Sequence, residues 1–363
     1  MNRFKKLMLR AVVGSLLIVN GCSPYMENNT IEELAPVIFW SISNGENGKF
    51  TISTLVPPLI NEKKRLLSQQ VDLMKQGIQG FNLIHYREMK LGQLRMLFIQ
   101  DDVAKKGLIP LLNMISMDPN ITQRLYLVIV QGNFDEYIAS QLIKQENLDY
   151  FLYRMFHHYE RNNQGEITVV NLHQYLKRLY TPYSDPILPV FKVNKENFAY
   201  KGTAVFKDDK LITTATHIDD HIFQLISNDY YLKLLPIPEL SVSIGQLRSH
   251  VDMKFNEDYS SLSVKVDLSG RIEDYQADMQ VLDQGQLLRL NQEVERYMET
   301  HTSDLLVKLQ KLKVDPIQIG NLTLAPFRQP MSEETWLSYW EKMKFEVDYE
   351  MRLETLTIDN KDK

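Results

Sequence analysis

The stretch Gly202-Thr203-Ala204-Val205-Phe206-Lys207-Asp208-Asp209-Lys210-Leu211 reads as two strands folded back on each other. β-Favouring residues fill Gly202 to Lys207 and Lys210 to Thr213, and Asp208-Asp209 between them is turn chemistry. Just beyond, Thr216 with Asp219 three residues on caps a helix through Ile226. Alternation in Ser241 to Lys254 and Ser261 to Asp267 marks further antiparallel strands. Leu287, Leu290, Val294, Tyr297, His301, Leu305, Leu309 and Leu312 recur at steps of three and four, which sets them along one stripe of a long helix. A helix carrying Trp336 and Trp340 follows, and aromatic residues at helical spacing are core rather than a ligand platform. Phe345, Val347, Tyr349, Met351 and Leu353 alternate in a last strand. The second half, residues 199–357, is thus an antiparallel-rich sheet packed by a long helix, with a polar tail at 358–363.

Upstream of the hairpin, Thr181 to Pro189 holds three prolines and breaks every regular pattern, making a join between halves. Helical patterning runs from Phe134 to Gln145, Leu148 to Tyr159 and Val169 to Tyr180. Before it, Arg95 to Gln100 predicts a buried strand, Val103 to Met117 one helix, and Ile121 to Val130 another strand, an order that implies an α/β layer. Pro36 to Ile42 and Lys49 to Val56 form a hairpin around Asn44-Gly45-Glu46-Asn47-Gly48. The polar stretch Asn61 to Gln76 reads as a helix or loop. Residues 22–198 therefore make two mixed α/β subdomains, and the chain is a mixed α/β (α+β) protein of three domains.

The first residues stand outside that fold. Arg3, Lys5, Lys6 and Arg10 run into the apolar stretch Ala11 to Val19, the layout of a signal peptide over residues 1–21. That run falls far short of the roughly 20 residues a membrane-spanning helix needs. It ends at Val19-Asn20-Gly21-Cys22, which resembles the lipobox of bacterial lipoproteins. Cys22 is the chain's single cysteine, so no internal disulfide is possible. The resemblance implies cleavage before Cys22 and lipid attachment there, as N-palmitoyl and S-diacylglycerol. Acyl chains burying about 0.8 kcal/mol per CH₂ give stable anchoring once two or more are present. Cleavage leaves 37 basic side chains against 46 acidic, a net charge of −9. An acidic chain argues against nucleic acid and against a polybasic membrane patch, so the lipid must do the anchoring.

Candidate chemistry is sparse. His217 and His221 sit four apart, the spacing with which two imidazoles share a metal, but Ile218 stands where H-E-x-x-H has its catalytic Glu. Two exposed histidines beside Asp219 and Asp220 on a solvated helix face are the better account. Glu160 to Asn171 has Asn162, Gly165 and Ile167 placed as in a calcium loop, without the opening Asp or the closing Glu. A polar turn explains it better, and His157-His158 beside it is unspecific. No G-x-S-x-G, Walker A or G-x-G-x-x-G motif occurs, so no catalytic residue, metal or cofactor is assigned.

Taken in order, these segments resemble the Ger(x)C family, the lipoprotein C subunit of bacterial spore nutrient-germinant receptors. The most specific likeness is Gly202 to Leu211, shortly after Asp185-Pro186-Ile187-Leu188-Pro189. In the first half it is carried by Gln93 to Ile99, Ala104-Lys105-Lys106-Gly107-Leu108, Asp118-Pro119 and Leu125-Tyr126-Leu127-Val128. The chain departs from the family at Ser23-Pro24 and in the loop Gly320 to Pro330. The resemblance implies a three-domain protein on the outer surface of the spore inner membrane, assembled with two integral membrane subunits, A and B. It would be a scaffold rather than an enzyme, with the nutrient bound by another subunit. Two rivals share parts of the pattern. A solute-binding lipoprotein of a transporter would show two similar lobes around a cleft, and an exported enzyme would show a cleft of convergent titratable groups.

Overall fold

In the computed structural model the described residues are 31–58, 63–72, 74–162, 165–227, 231–275, 284–324 and 329–354. Cys22, the signal sequence 1–21 and the tail 358–363 lie outside them. The chain begins with β1 (Leu34–Pro36), β2 (Phe39–Asn44), β3 (Phe50–Val56) and β4 (Arg65–Val71), then α1 (Met74–Ile84), β5 (Glu88–Lys90) and β6 (Met96–Gln100). Helices α2 (Asp101–Lys106) and α3 (Ile109–Ser116) lead to β7 (Tyr126–Gln131), and α4 (Phe134–Leu142), α5 (Leu148–Asn162) and α6 (Leu172–Tyr180) follow. Then come β8 (Ile187–Val193), β9 (Phe198–Lys207), β10 (Lys210–Ala215) and α7 (Ile218–Ser227). The chain closes with β11 (Tyr231–Ile237), β12 (Val242–Phe255), β13 (Ser261–Tyr275), α8 (Gln284–Lys311), α9 (Glu333–Trp340) and β14 (Lys344–Glu354).

Eight strands form one sheet in the order β10-β9-β8-β7-β6-β2-β3-β4. Its middle, β8-β7-β6-β2, is parallel, and antiparallel strands extend both edges. Strands buried on both faces should be continuously apolar. Met96 to Ile99 and Leu127 to Val130 are so, with alternate residues serving opposite layers. Phe98, Tyr126, Val128 and Val130 pack with Phe134 of α4 and Phe156 of α5. Leu97, Ile99, Leu127 and Ile129 face the side that holds α1, α2, α3 and α6. The two-stranded pair of β1 and β5 runs parallel beside this layer.

The second sheet has the order β11-β12-β13-β14, antiparallel except for β13 and β14. The long helix α8 covers it, burying Leu290, Val294, Met298, Leu305, Leu306 and Leu309. Leu287, Tyr297, His301 and Leu312, placed on the same stripe by periodicity, are only half-buried. Trp336 and Trp340 are core, at 1% and 0% exposure. One apolar cluster runs without a break from Ala35 in the first sheet's layer to Leu353 in the last strand. The boundary expected at 198/199 falls at the start of β9, whose residues on both sides of it pair with β8, so the large sheet continues across it. The two sheets differ in strand number and order, unlike the paired lobes of a solute-binding lipoprotein.

Four local expectations need correcting. Within Asn61 to Gln76, Arg65 to Val71 is neither helix nor loop, because there β4 pairs with β3, and helix begins only at Met74. Its residues are good helix formers, but a free sheet edge overrides a weak propensity. The single helix expected from Val103 to Met117 is two, broken at Gly107, where φ is 121°. The strand expected from Ile121 begins only at Tyr126, because turns closed by Asp118 and Thr122 occupy the segment before it. The fourth concerns His217 and His221, whose surroundings belong to the joint described next.

Candidate functional site at the joint between the two sheets

Thr181 to Pro189, read from its prolines as a join, is where the two sheets are tied together. Asp185 Oδ2 accepts the backbone N–H of Asp315 at 2.6 Å, and the Asp185 N–H donates to the Asp315 carbonyl at 3.3 Å. Asp315 in turn accepts the N–H groups of Ile319 at 2.9 Å and Gly320 at 2.7 Å. From α6, Arg178 Nη1 donates to the Pro316 carbonyl at 2.7 Å, and Gln318 Nε2 donates to Ser184 Oγ at 2.8 Å. Tyr183 meets Trp336 edge to face at 6.1 Å, and a Cβ on Gly320 would stand 2.3 Å from the Tyr183 Cβ. That packing requires glycine at 320.

Two carboxylates in this joint accept backbone N–H groups, Asp315 buried at 3% exposure and Asp185 half-buried. Burial pushes Asp315 up to about 7 and Asp185 up to about 6, outweighing the backbone N–H donors that favour the charged forms. The same burial lowers the Arg178 guanidinium, which spends its donors on carbonyls.

A second polar cluster lies nearby. Tyr200 on β9 donates to Asp220 Oδ2 on α7 at 3.0 Å and meets Thr203 Oγ1 at 3.2 Å. Thr203 meets Thr168 Oγ1, which also accepts from Gln224 Nε2. Asp220 is 5% exposed, and burial raises it to about 6. His221 is half-buried, with a lowered pKa from burial and then from His217. The solvated face expected for His217, His221, Asp219 and Asp220 is therefore only partly solvated, since the helix turns Asp220 into the joint. His217 itself is exposed, in the left-handed region at φ 54°, just before the helix. Among the described residues, no three His, Cys, Asp or Glu side chains gather as metal ligands would.

Between the clusters opens a cleft of about 480 Å³, lined by Thr168, Gln174, Arg178, Phe223, Gln224 and Gln318 among others. Its polar lining combines amides, hydroxyls and the committed Arg178 guanidinium with the charged side chains of Glu160 and Lys177. Glu160, weighed as a calcium ligand, instead accepts from the Tyr126 hydroxyl at 2.5 Å. His157 and His158 are exposed on α5.

One contact was not visible in the sequence. Asp209, in the hairpin turn, accepts the Ile109 N–H through Oδ2 at 2.8 Å, and its carbonyl accepts the Leu108 N–H at 3.1 Å. Asp209 thus satisfies free N–H groups at the start of α3. A Cβ on Gly107 would lie 2.6 Å from Asp209 Oδ2. The segments Ala104 to Leu108 and Gly202 to Leu211, singled out separately, touch each other through Gly107, Leu108 and Asp209.

Comparison with known proteins bears on both halves. The family described as "Spore germination protein N-terminal domain" matches residues 27–193. The one described as "Spore germination B3/ GerAC like, C-terminal" matches residues 201–356. This chain belongs to the Ger(x)C family. A curated Ger(x)C relative, the spore germination protein GerQC of Bacillus cereus, is 19% identical over 273 residues, covering 73% of this chain and 75% of its own length. The crystal structure of the GerBC protein aligns at a TM-score of 0.50 with 13% identity, covering 86% of this chain and 96% of that one. At that identity the likeness speaks for the Ger(x)C fold, mixed α/β and multidomain, with a C-terminal sheet and helix.

Proposed function

We propose that this chain is the non-catalytic, lipid-anchored subunit of a spore nutrient-germinant receptor, held at the outer surface of the spore inner membrane. In this reading it scaffolds assembly and signalling with the integral membrane A and B subunits, while the nutrient binds on another subunit. The observation that carries it is the match of both halves to germination-protein families in the family's own order. The signal sequence ending at Gly21-Cys22 supplies the attachment point. Among the described residues no helix is long and apolar enough to cross a membrane, so the proposed membrane attachment is assigned to the lipid.

Cys22→Ala tests the reading. The variant is expected to leave the membrane fraction, to incorporate no labelled palmitate, and to lose the response to nutrient while keeping the response to a receptor-independent trigger. Retention at the membrane with label would remove the anchor. An unchanged nutrient response would remove the receptor assignment.

A further inference from the structure

We infer that the corner Leu83-Ile84-His85-Tyr86, at the end of α1, is the face of the molecule that rests in the lipid surface. The inference depends on the lipid attachment at Cys22 proposed above. Leu83 is 86% exposed, Ile84 61% and Tyr86 67%. Single exposed apolar residues are ordinary, but a contiguous group marks an interaction surface. Next to the corner lies a mostly apolar depression of about 440 Å³, lined by Leu34, Pro36, Pro57 and Arg87 among others. His85 is buried and its ring stacks on Tyr86 at 5.0 Å, which holds the phenol in place.

The position of this corner relative to the tether selects the occupant. Arg87, the residue after Tyr86, is buried and donates to the Leu34 carbonyl and, at 2.7 Å, to the Pro57 carbonyl. Glu88 pairs with Leu34 in the parallel ladder. The corner is therefore fixed to the point where the chain arrives from its N-terminal side. Nine residue steps separate Cys22 from Ile31, a reach of at most about 30 Å. A folded chain of this length is roughly 50 Å across, so the tether brings this end to the bilayer and not the far one.

The chemistry agrees with a lipid occupant. A chain of net charge −9 gains nothing from anionic headgroups. Burial of apolar side chains in the headgroup–acyl boundary is the attraction left, and a tyrosine with an apolar body and polar tip suits that depth. The acyl chains would hold the protein to the membrane, and this corner would fix which way it faces.

The test uses the full-length, lipidated protein in phosphatidylcholine vesicles with and without brominated acyl chains. Tyr86→Trp places a reporter at the corner, and Tyr150→Trp places one on α5, which packs on the opposite face of the large sheet. The native Trp40, Trp336 and Trp340 are buried and give a constant background. Emission from Trp at 86 is expected to fall by roughly half in brominated vesicles, as for an interfacial side chain, with that at 150 unchanged. Adding Leu83→Glu and Ile84→Glu should abolish the quenching. Vesicle-bound protein without quenching at 86 overturns the orientation and leaves the anchor standing. Failure of the lipidated protein to bind vesicles overturns both.

Discussion

Gly202 opens the ten-residue stretch that identifies the second half, and its backbone explains why no other residue serves. Its φ is 146°, and a Cβ there would stand 1.9 Å from the carbonyl oxygen of Ala215 across the hairpin. Gly202→Ala is expected to cost more than about 2 kcal/mol in urea unfolding, from backbone strain plus the clash. Gly48 is the control. Its φ is 79° with open space around it, so Gly48→Ala should cost only about 1 kcal/mol. Asp315 makes a different prediction, in pH. Its folded pKa, near 7, lies above the ordinary 3.8, so the folded state binds the proton more tightly. Its contribution to stability is complete below about pH 4 and is lost as pH rises through the window up to about 7. Asp315→Asn cannot titrate, so stability between pH 4 and 7 should fall less steeply in the variant, by on the order of 4 kcal/mol across the window. Parallel slopes in urea titrations would show that Asp315 is charged throughout. Neither residue's role was legible in the sequence. A glycine that opens a strand looks permissive, and an aspartate before Pro316 looks like a turn residue until burial is known.

Among the elements, those with strong periodicity were read correctly: the β9–β10 hairpin, the long helix α8, the tryptophans of α9 and the alternating β14. The misreadings share a cause, which is that a partner distant in sequence decided the outcome. β4 exists because β3 offers it an edge, and α2 ends where Asp209 comes close to Gly107. β14 shows a related device that periodicity cannot reveal. It is the last strand of its sheet, with N–H groups pointing away from β13. Glu299 accepts the Tyr349 N–H at 3.3 Å, and Glu295 accepts the Met351 N–H at 2.8 Å, both from α8. Two carboxylates one helical turn apart thus occupy two sites through which another strand would pair. The double variant Glu295→Ala, Glu299→Ala is expected to lose about 1 kcal/mol per bond. Sedimentation should also show self-association that grows with concentration. A monomer of unchanged stability would mean the helix covers the edge by bulk alone.

At the level of the whole molecule, the prolines of Thr181 to Pro189 mark a break in regular structure but not the contacts made there, because the partners come from residues 313–320, over 120 positions later. The apolar cluster is continuous across the joint, so the two sheets should unfold as one unit despite their separate topologies. Arg178 is the residue on which that coupling can be tested. It lies on α6 of the first layer and donates to the Pro316 carbonyl in the loop before α9, with a longer bond to the Asp185 carbonyl. Arg178→Met keeps an unbranched side chain of similar reach but leaves those buried acceptors unpaired, a loss of about 1–3 kcal/mol. The cost falls on the joint rather than on either sheet. Unfolding of the variant in urea is therefore expected to split, with probes of the second sheet moving before those of the first. Amides of Asp315, Ile319 and Gly320, whose acceptors sit in the joint, should exchange with solvent faster than those of the β12–β13 ladder. If all probes still coincide at the wild-type midpoint, the apolar cluster alone couples the two parts. Coupling between the two sheets would then run through packing and not through this polar joint.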